Sequence, residues 1–142
     1  MLWEEVLVDR ELTDDEVMTT MVALFAVSPD AVLVVDDITA ANVSEKLSVV
    51  CERTPIRGDF SLRLSIYLHD PALEQLDRIA IVGQFCDLLH CKCLISDDSV
   101  NPYAMLLVEG SARQQPVFLD PERLDAEEYV LDKKLSGAGL KT

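Results

Sequence analysis

The chain has 142 residues, 49% hydrophobic and 27% charged, which suits one domain with a buried core and excludes global disorder. Its 26 acidic residues against 12 basic ones give a formal charge of −14. Phosphate backbones and anionic membrane surfaces would both be repelled, so neither nucleic acid nor membrane is an expected partner.

No run of about 18 apolar residues is present to span a bilayer. The opening MLWEEVLVDRE has none of the parts of a secretory signal, so a cytoplasmic protein is expected. Cys51, Cys86, Cys91 and Cys93 are then expected as reduced thiols rather than a disulfide framework.

LWEEVLV reads as a first strand. In the following LTDDEVMTTMVALFAVSP, Thr13 and Glu16 have the spacing of a capping box, and Val17, Met21 and Leu24 with Met18, Val22 and Phe25 form an apolar helical stripe. Ser28-Pro29 ends that helix. AVLVVDD (31–37) is a short β-branched run, the pattern of an interior strand, and LSVVCER (47–53) is another. FSLRLSIYL (60–68) alternates strictly, with Leu62, Leu64, Ile66 and Leu68 facing the core and Ser61, Arg63, Ser65 and Tyr67 facing away. It is expected to form a hairpin with 47–53.

Asp70-Pro71 opens the second helix, with Asp as N-cap and Pro at the first helical position. Its second half, IAIVGQFCDLL, is apolar nearly all round and therefore expected deep in the fold. Three strands follow at 91–96, 103–110 and 115–120, joined by polar loops. Asp120-Pro121 repeats the helix start, and DAEEYVLDKKL is expected as a short C-terminal helix.

The order β-α-β-β-β-α-β-β-β-α predicts an α+β fold with a mainly antiparallel, or mixed, sheet of about six strands. One domain over 1–135 and a flexible tail over 136–142 are expected.

FCDLLHCKCLIS (85–96) carries three cysteines and a histidine in eight positions. Cys86 and His90 are placed on one helical face, and Cys91 and Cys93 on one face of the next strand. Zinc sites usually join such pairs through a tight knuckle, and none is evident here. The expectation is therefore a packed core, with no metal and no disulfide between these thiols. His69, beside Asp70, reads as a junction residue rather than a base.

VLVVDDI (32–38) resembles the Mg²⁺-holding acidic pair of response-regulator receiver domains. Such a domain would supply a later strand-end aspartate and a Lys-Pro. AIVGQF offers no acid, and the chain has no Lys-Pro. The resemblance stops at those seven residues.

Asp36-Asp37 and Asp97-Asp98 each follow an apolar strand. Were the two strands parallel neighbours, four carboxylates would gather at one sheet edge, as an acidic contact patch or a cation site. Tyr103 enters a strand from a loop, where an aromatic can anchor an interface. No G-x-S-x-G, P-loop or G-x-G-x-x-G occurs.

The reading is a non-enzymatic binding protein without cofactor, docking on a basic toxin or effector through Asp36, Asp37, Asp97, Asp98 and Tyr103. Its most concrete form is an immunity- or antitoxin-type inhibitor of a nuclease-like toxin. In type the chain also resembles an acidic secretion chaperone. A small metal-dependent hydrolase using the strand-end carboxylates, or a homodimer through a strand edge, are the competing readings.

Overall fold

The computed structural model describes residues 2–44 and 46–133, and its helices begin where short polar side chains accept free backbone N–H groups. The Thr13 hydroxyl accepts from the Glu16 N–H at 3.1 Å while the Glu16 carboxylate accepts from the Thr13 N–H at 3.0 Å, closing the expected capping box on α1 (Asp14–Phe25). Asp70 caps α2 (Pro71–Glu74), Asp77 caps α3 (Arg78–Leu89) and Asp120 caps α4 (Pro121–Asp125). The single helix expected after Asp70 is thus two. Asp77 takes the N–H groups of Ile79 and Ala80, and a side chain so engaged starts a new helix rather than continuing the old one.

The strands are β1 (Leu2–Val8), β2 (Val32–Val35), β3 (Val49–Pro55), β4 (Arg57–Gly58), β5 (Leu62–Leu68), β6 (Cys93–Ser96), β7 (Ala104–Gly110), β8 (Arg113–Phe118) and β9 (Glu128–Tyr129). Seven form one sheet in the order β2-β3-β5-β1-β6-β7-β8, and β4 pairs with β9. Within the large sheet only β2 and β3 run parallel. The hairpin expected between β3 and β5 is present, from Val49 opposite Leu68 to Pro55 opposite Leu62. The fold is α+β with a mixed sheet.

One sheet face carries the main core. Val17, Met21 and Phe25 of α1 and Ile81, Val82, Phe85 and Cys86 of α3 pack on Val6, Val8, Cys51, Leu64, Ile66, Cys93, Ile95 and Val108. Trp3 meets Phe25 edge-on, with ring centroids 5.6 Å apart. Leu62, Leu64, Ile66 and Leu68 are buried as their alternation predicts. Ser65, expected to face away, is 4% exposed. Its strand is interior, between β3 and β1, with Glu52 and Glu5 opposite Ser65.

The opposite face is covered at the β6-β7-β8 side. Leu7, Phe60, Leu94, Leu107, Val117 and Leu119 are buried there under the partly buried Leu124, Tyr129 and Leu131. This cover corrects the expected C-terminal helix: α4 stops at Asp125 and the chain turns into β9. The pairing of β9 with β4 depends on Gly58, at φ 114°, because a Cβ there would sit 2.5 Å from the Tyr129 carbonyl oxygen. The Tyr129 carbonyl accepts from the Asp59 N–H at 2.8 Å, and the Asp59 carboxylate accepts from the Leu131 N–H at 3.0 Å. The tail expected at 136–142, and the last residues of the predicted helix, lie outside the described residues.

Candidate functional site

The sheet order separates the two acidic pairs. β2 runs with β3, β3 against β5, β5 against β1, and β1 against β6. β6 therefore points opposite to β2, with three strands between them, and Asp36-Asp37 and Asp97-Asp98 fall at opposite ends of the sheet. The four carboxylates do not gather, which corrects the geometry on which a shared cation site or single patch depended.

At the β2 end, Asp36 lies 3.4 Å from Arg53, which also holds Asp14 at 2.9 Å. Asp37 accepts from the Thr39 hydroxyl at 2.6 Å and the Thr39 N–H at 2.9 Å, and these bonds hold its carboxyl below the usual range. Both aspartates are exposed, but each serves local structure.

At the β6 end the two aspartates are held by local bonds in the same way. Asp97 accepts from the Ser99 N–H at 2.9 Å, and its bonds to Ser99 lower its carboxyl. Asp98, at φ 63°, reaches Arg78 at 2.7 Å. The other guanidinium nitrogen of Arg78 lies 3.1 Å from Glu4, a carboxylate only 9% exposed. Burial pushes the Glu4 carboxyl up, and Arg78 opposes that only in part. Asp70, Glu74 and Asp77 stand at the same end, where β5 leaves the sheet and α3 begins.

Large apolar side chains share that end. Leu2 is 46% exposed at the start of β1, Leu76 38% exposed before α3, and Val100 fully exposed in the β6–β7 loop. The remaining exposed large apolar residue among the described residues, Leu88, lies in a groove between α1 and α3. Tyr103, expected as an anchor nearby, is half-buried against the second core cluster. Sequence pattern did not single out Val100. The available signal was a bulky apolar residue inside SDDSVNP, a stretch with no strand or helix period to bury it.

The positive charge is used internally. Arg10, Arg53, Arg78 and Arg123 pair with carboxylates. Arg57 donates to the Ala126 carbonyl, Arg63 to the Tyr129 hydroxyl and Arg113 to the Glu109 carbonyl. All seven arginines of the chain are so engaged.

The thiols form a second assembly. α3 ends at Leu89, and His90 takes the left-handed conformation at φ 52°, ψ 51°. His90 is therefore off the helical face on which spacing placed it. Cys91 lies in the turn rather than on the strand, which starts only at Cys93. This turn performs the role of a knuckle, and it brings the sulfurs of Cys86, Cys91 and Cys93 within 4.8 Å of one another. Cys91 and Cys93 are 4.0 Å apart. All four cysteines are buried, as expected for core residues. Three of the four candidate donors nevertheless converge. Among the described residues theirs is the sole such convergence of His, Cys, Asp or Glu side chains. Burial lifts the Cys51 thiol to about 12, whereas hydrogen bonds from Cys86 and Cys93 hold Cys91 far below the usual thiol range.

The chain matches no protein-family model, no curated protein and no solved structure. Among the described residues no helix is long and apolar enough to cross a membrane.

Proposed function

We propose that this is a non-catalytic acidic protein-binding protein whose docking surface is the Asp97-Asp98 end of the sheet and whose partner is a basic protein. One observation carries the reading: Leu2, Leu76 and Val100 are exposed at the same end of the sheet as Asp70, Glu74, Asp77, Asp97 and Asp98. Apolar contact area within a charged rim is how protein interfaces are built, with the rim steering encounter and the apolar centre holding the complex. Arg78 is occupied by Glu4 and Asp98 at this end and offers little to repel a cationic partner. The concrete form is an immunity- or antitoxin-type inhibitor that covers the basic active site of a toxin. Asp36 and Asp37 drop out of this surface on topology.

The test is affinity capture at low and high salt, with captured proteins identified, purified and titrated directly. The reading expects a basic partner bound by the wild type. It also expects binding weakened in an Asp97→Asn, Asp98→Asn double variant and kept in an Asp36→Asn, Asp37→Asn variant. Recovery of no basic protein at low salt, or equal binding by both variants, sinks it. A secreted effector as the captured partner would place the chain with secretion chaperones.

A further inference from the structure

We infer that Cys86, Cys91 and Cys93 form a three-thiolate site for zinc, with the fourth coordination position opening on the cavity beside His90. This is independent of the docking surface. In a tetrahedral thiolate site with Zn–S near 2.3 Å the sulfurs stand about 3.8 Å apart. Here the Cys91–Cys93 separation is 4.0 Å and all three lie within 4.8 Å. Closing that triangle onto one ion takes movements of under about 1 Å, within the reach of side-chain rotation.

The backbone is built for it. The Cys91 N–H donates to the Cys86 carbonyl at 3.2 Å, so the helix end and the turn that carry two of the sulfurs are bonded to each other. Cys93 is the first residue of β6, held between β1 and β7. The left-handed His90, which ends α3 as Ala26 at φ 52° ends α1, turns the chain so that Cys91 comes back toward Cys86.

An entry path exists. An open cavity of about 560 Å³ is lined by Cys86, Cys91 and His90 together with Asp9, Glu109 and Arg113. Metal sites need such a route as well as the ligands. On binding, the thiol protons leave to water through this cavity. Three sulfurs select a thiophilic ion rather than Mg²⁺ or Ca²⁺, which take oxygen donors.

The probe is metal alone. Protein purified under reducing conditions without chelator should hold one zinc per chain by elemental analysis. After stripping, Co²⁺ should bind with a sulfur-to-cobalt charge-transfer band and visible bands of tetrahedral intensity. Cys91→Ser should weaken Co²⁺ and Zn²⁺ binding by at least about 100-fold, more than second-sphere substitutions typically cost. Cys51→Ser, which removes the thiol outside the cluster, should leave both metals bound as in the wild type. Folded wild type that takes up neither ion, or a Cys91→Ser protein that binds like the wild type, overturns the site. Should Cys91→Ser fail to fold by circular dichroism, the wild-type Co²⁺ spectrum decides.

Discussion

Replacing Gly83 by alanine sets two effects of known sign against each other. In the middle of a helix alanine is favoured over glycine by about 1 kcal/mol, so propensity alone predicts a more stable protein. The structure predicts the reverse. A Cβ on Gly83 would lie 2.8 Å from the Ser111 Cα, 3.0 Å from the Gly110 oxygen and 3.2 Å from the Ser111 nitrogen. These are backbone atoms of the β7–β8 turn, which cannot swing aside as a side-chain tip does. Asp87 of α3 also accepts from the Ser111 N–H and hydroxyl, tying the turn to the helix. Restoring ordinary contact near 3.5 Å requires α3 to retreat by roughly 0.7 Å, and overpacking of this kind costs about 1–3 kcal/mol. The net expectation is a loss of about 1 kcal/mol, a fall of about 0.5 M in the urea midpoint at unchanged slope. Gln84→Ala, one residue on and exposed, serves as the control and should stay within about 0.5 kcal/mol of wild type. A Gly83→Ala midpoint raised above wild type would refute the close approach of α3 to the turn.

Three further outcomes follow from named contacts. Thr13→Ala removes half of the capping box on α1 and should cost about 1 kcal/mol by chemical denaturation, with Thr13→Ser restoring most of it. Burial raises the Glu4 carboxyl above its ordinary value of 4.5, so the folded state binds the proton more tightly than the unfolded one. Stability from this group is therefore complete below that value and declines as pH rises through the raised one; denaturation midpoints across pH should show the advantage of Glu4→Gln over wild type growing in that window. Gly58→Ala forces a Cβ into the Tyr129 backbone, so proteolysis between α4 and Leu131 should be faster than in wild type while the helical circular dichroism persists.

Local signals in the sequence were reliable where one chemical feature decides the outcome. The Thr13 and Asp120 caps, the Asp70-Pro71 start and the burial of Leu62, Leu64, Ile66 and Leu68 all appear in the fold as their chemistry dictates. The break at Asp77 was missed because the apolar period runs through it, and only its side-chain bonds to Ile79 and Ala80 show a second start. A helix was expected where β9 lies because Glu128 and Tyr129 are settled by long-range pairing with Arg57 and Gly58. The acidic pairs look equivalent in sequence, since strand order and direction, which set them at opposite ends, leave no local trace. The convergence of three thiols was not legible because spacing assigned Cys86 to a helix and Cys91 to a strand. The left-handed turn at His90 lies between those two periods.

The docking account is tested most directly by titrating the purified basic partner, once captured, against the chain over a salt series. Binding through exposed carboxylates predicts affinity that falls steadily as salt rises, since charges at the surface are screened beyond about 10 Å at 0.1 M. The Asp97→Asn, Asp98→Asn variant should show a shallower salt slope than wild type, and the Asp36→Asn, Asp37→Asn variant the same slope. Affinity independent of salt, or slopes indistinguishable between wild type and the Asp97→Asn, Asp98→Asn variant, would contradict it.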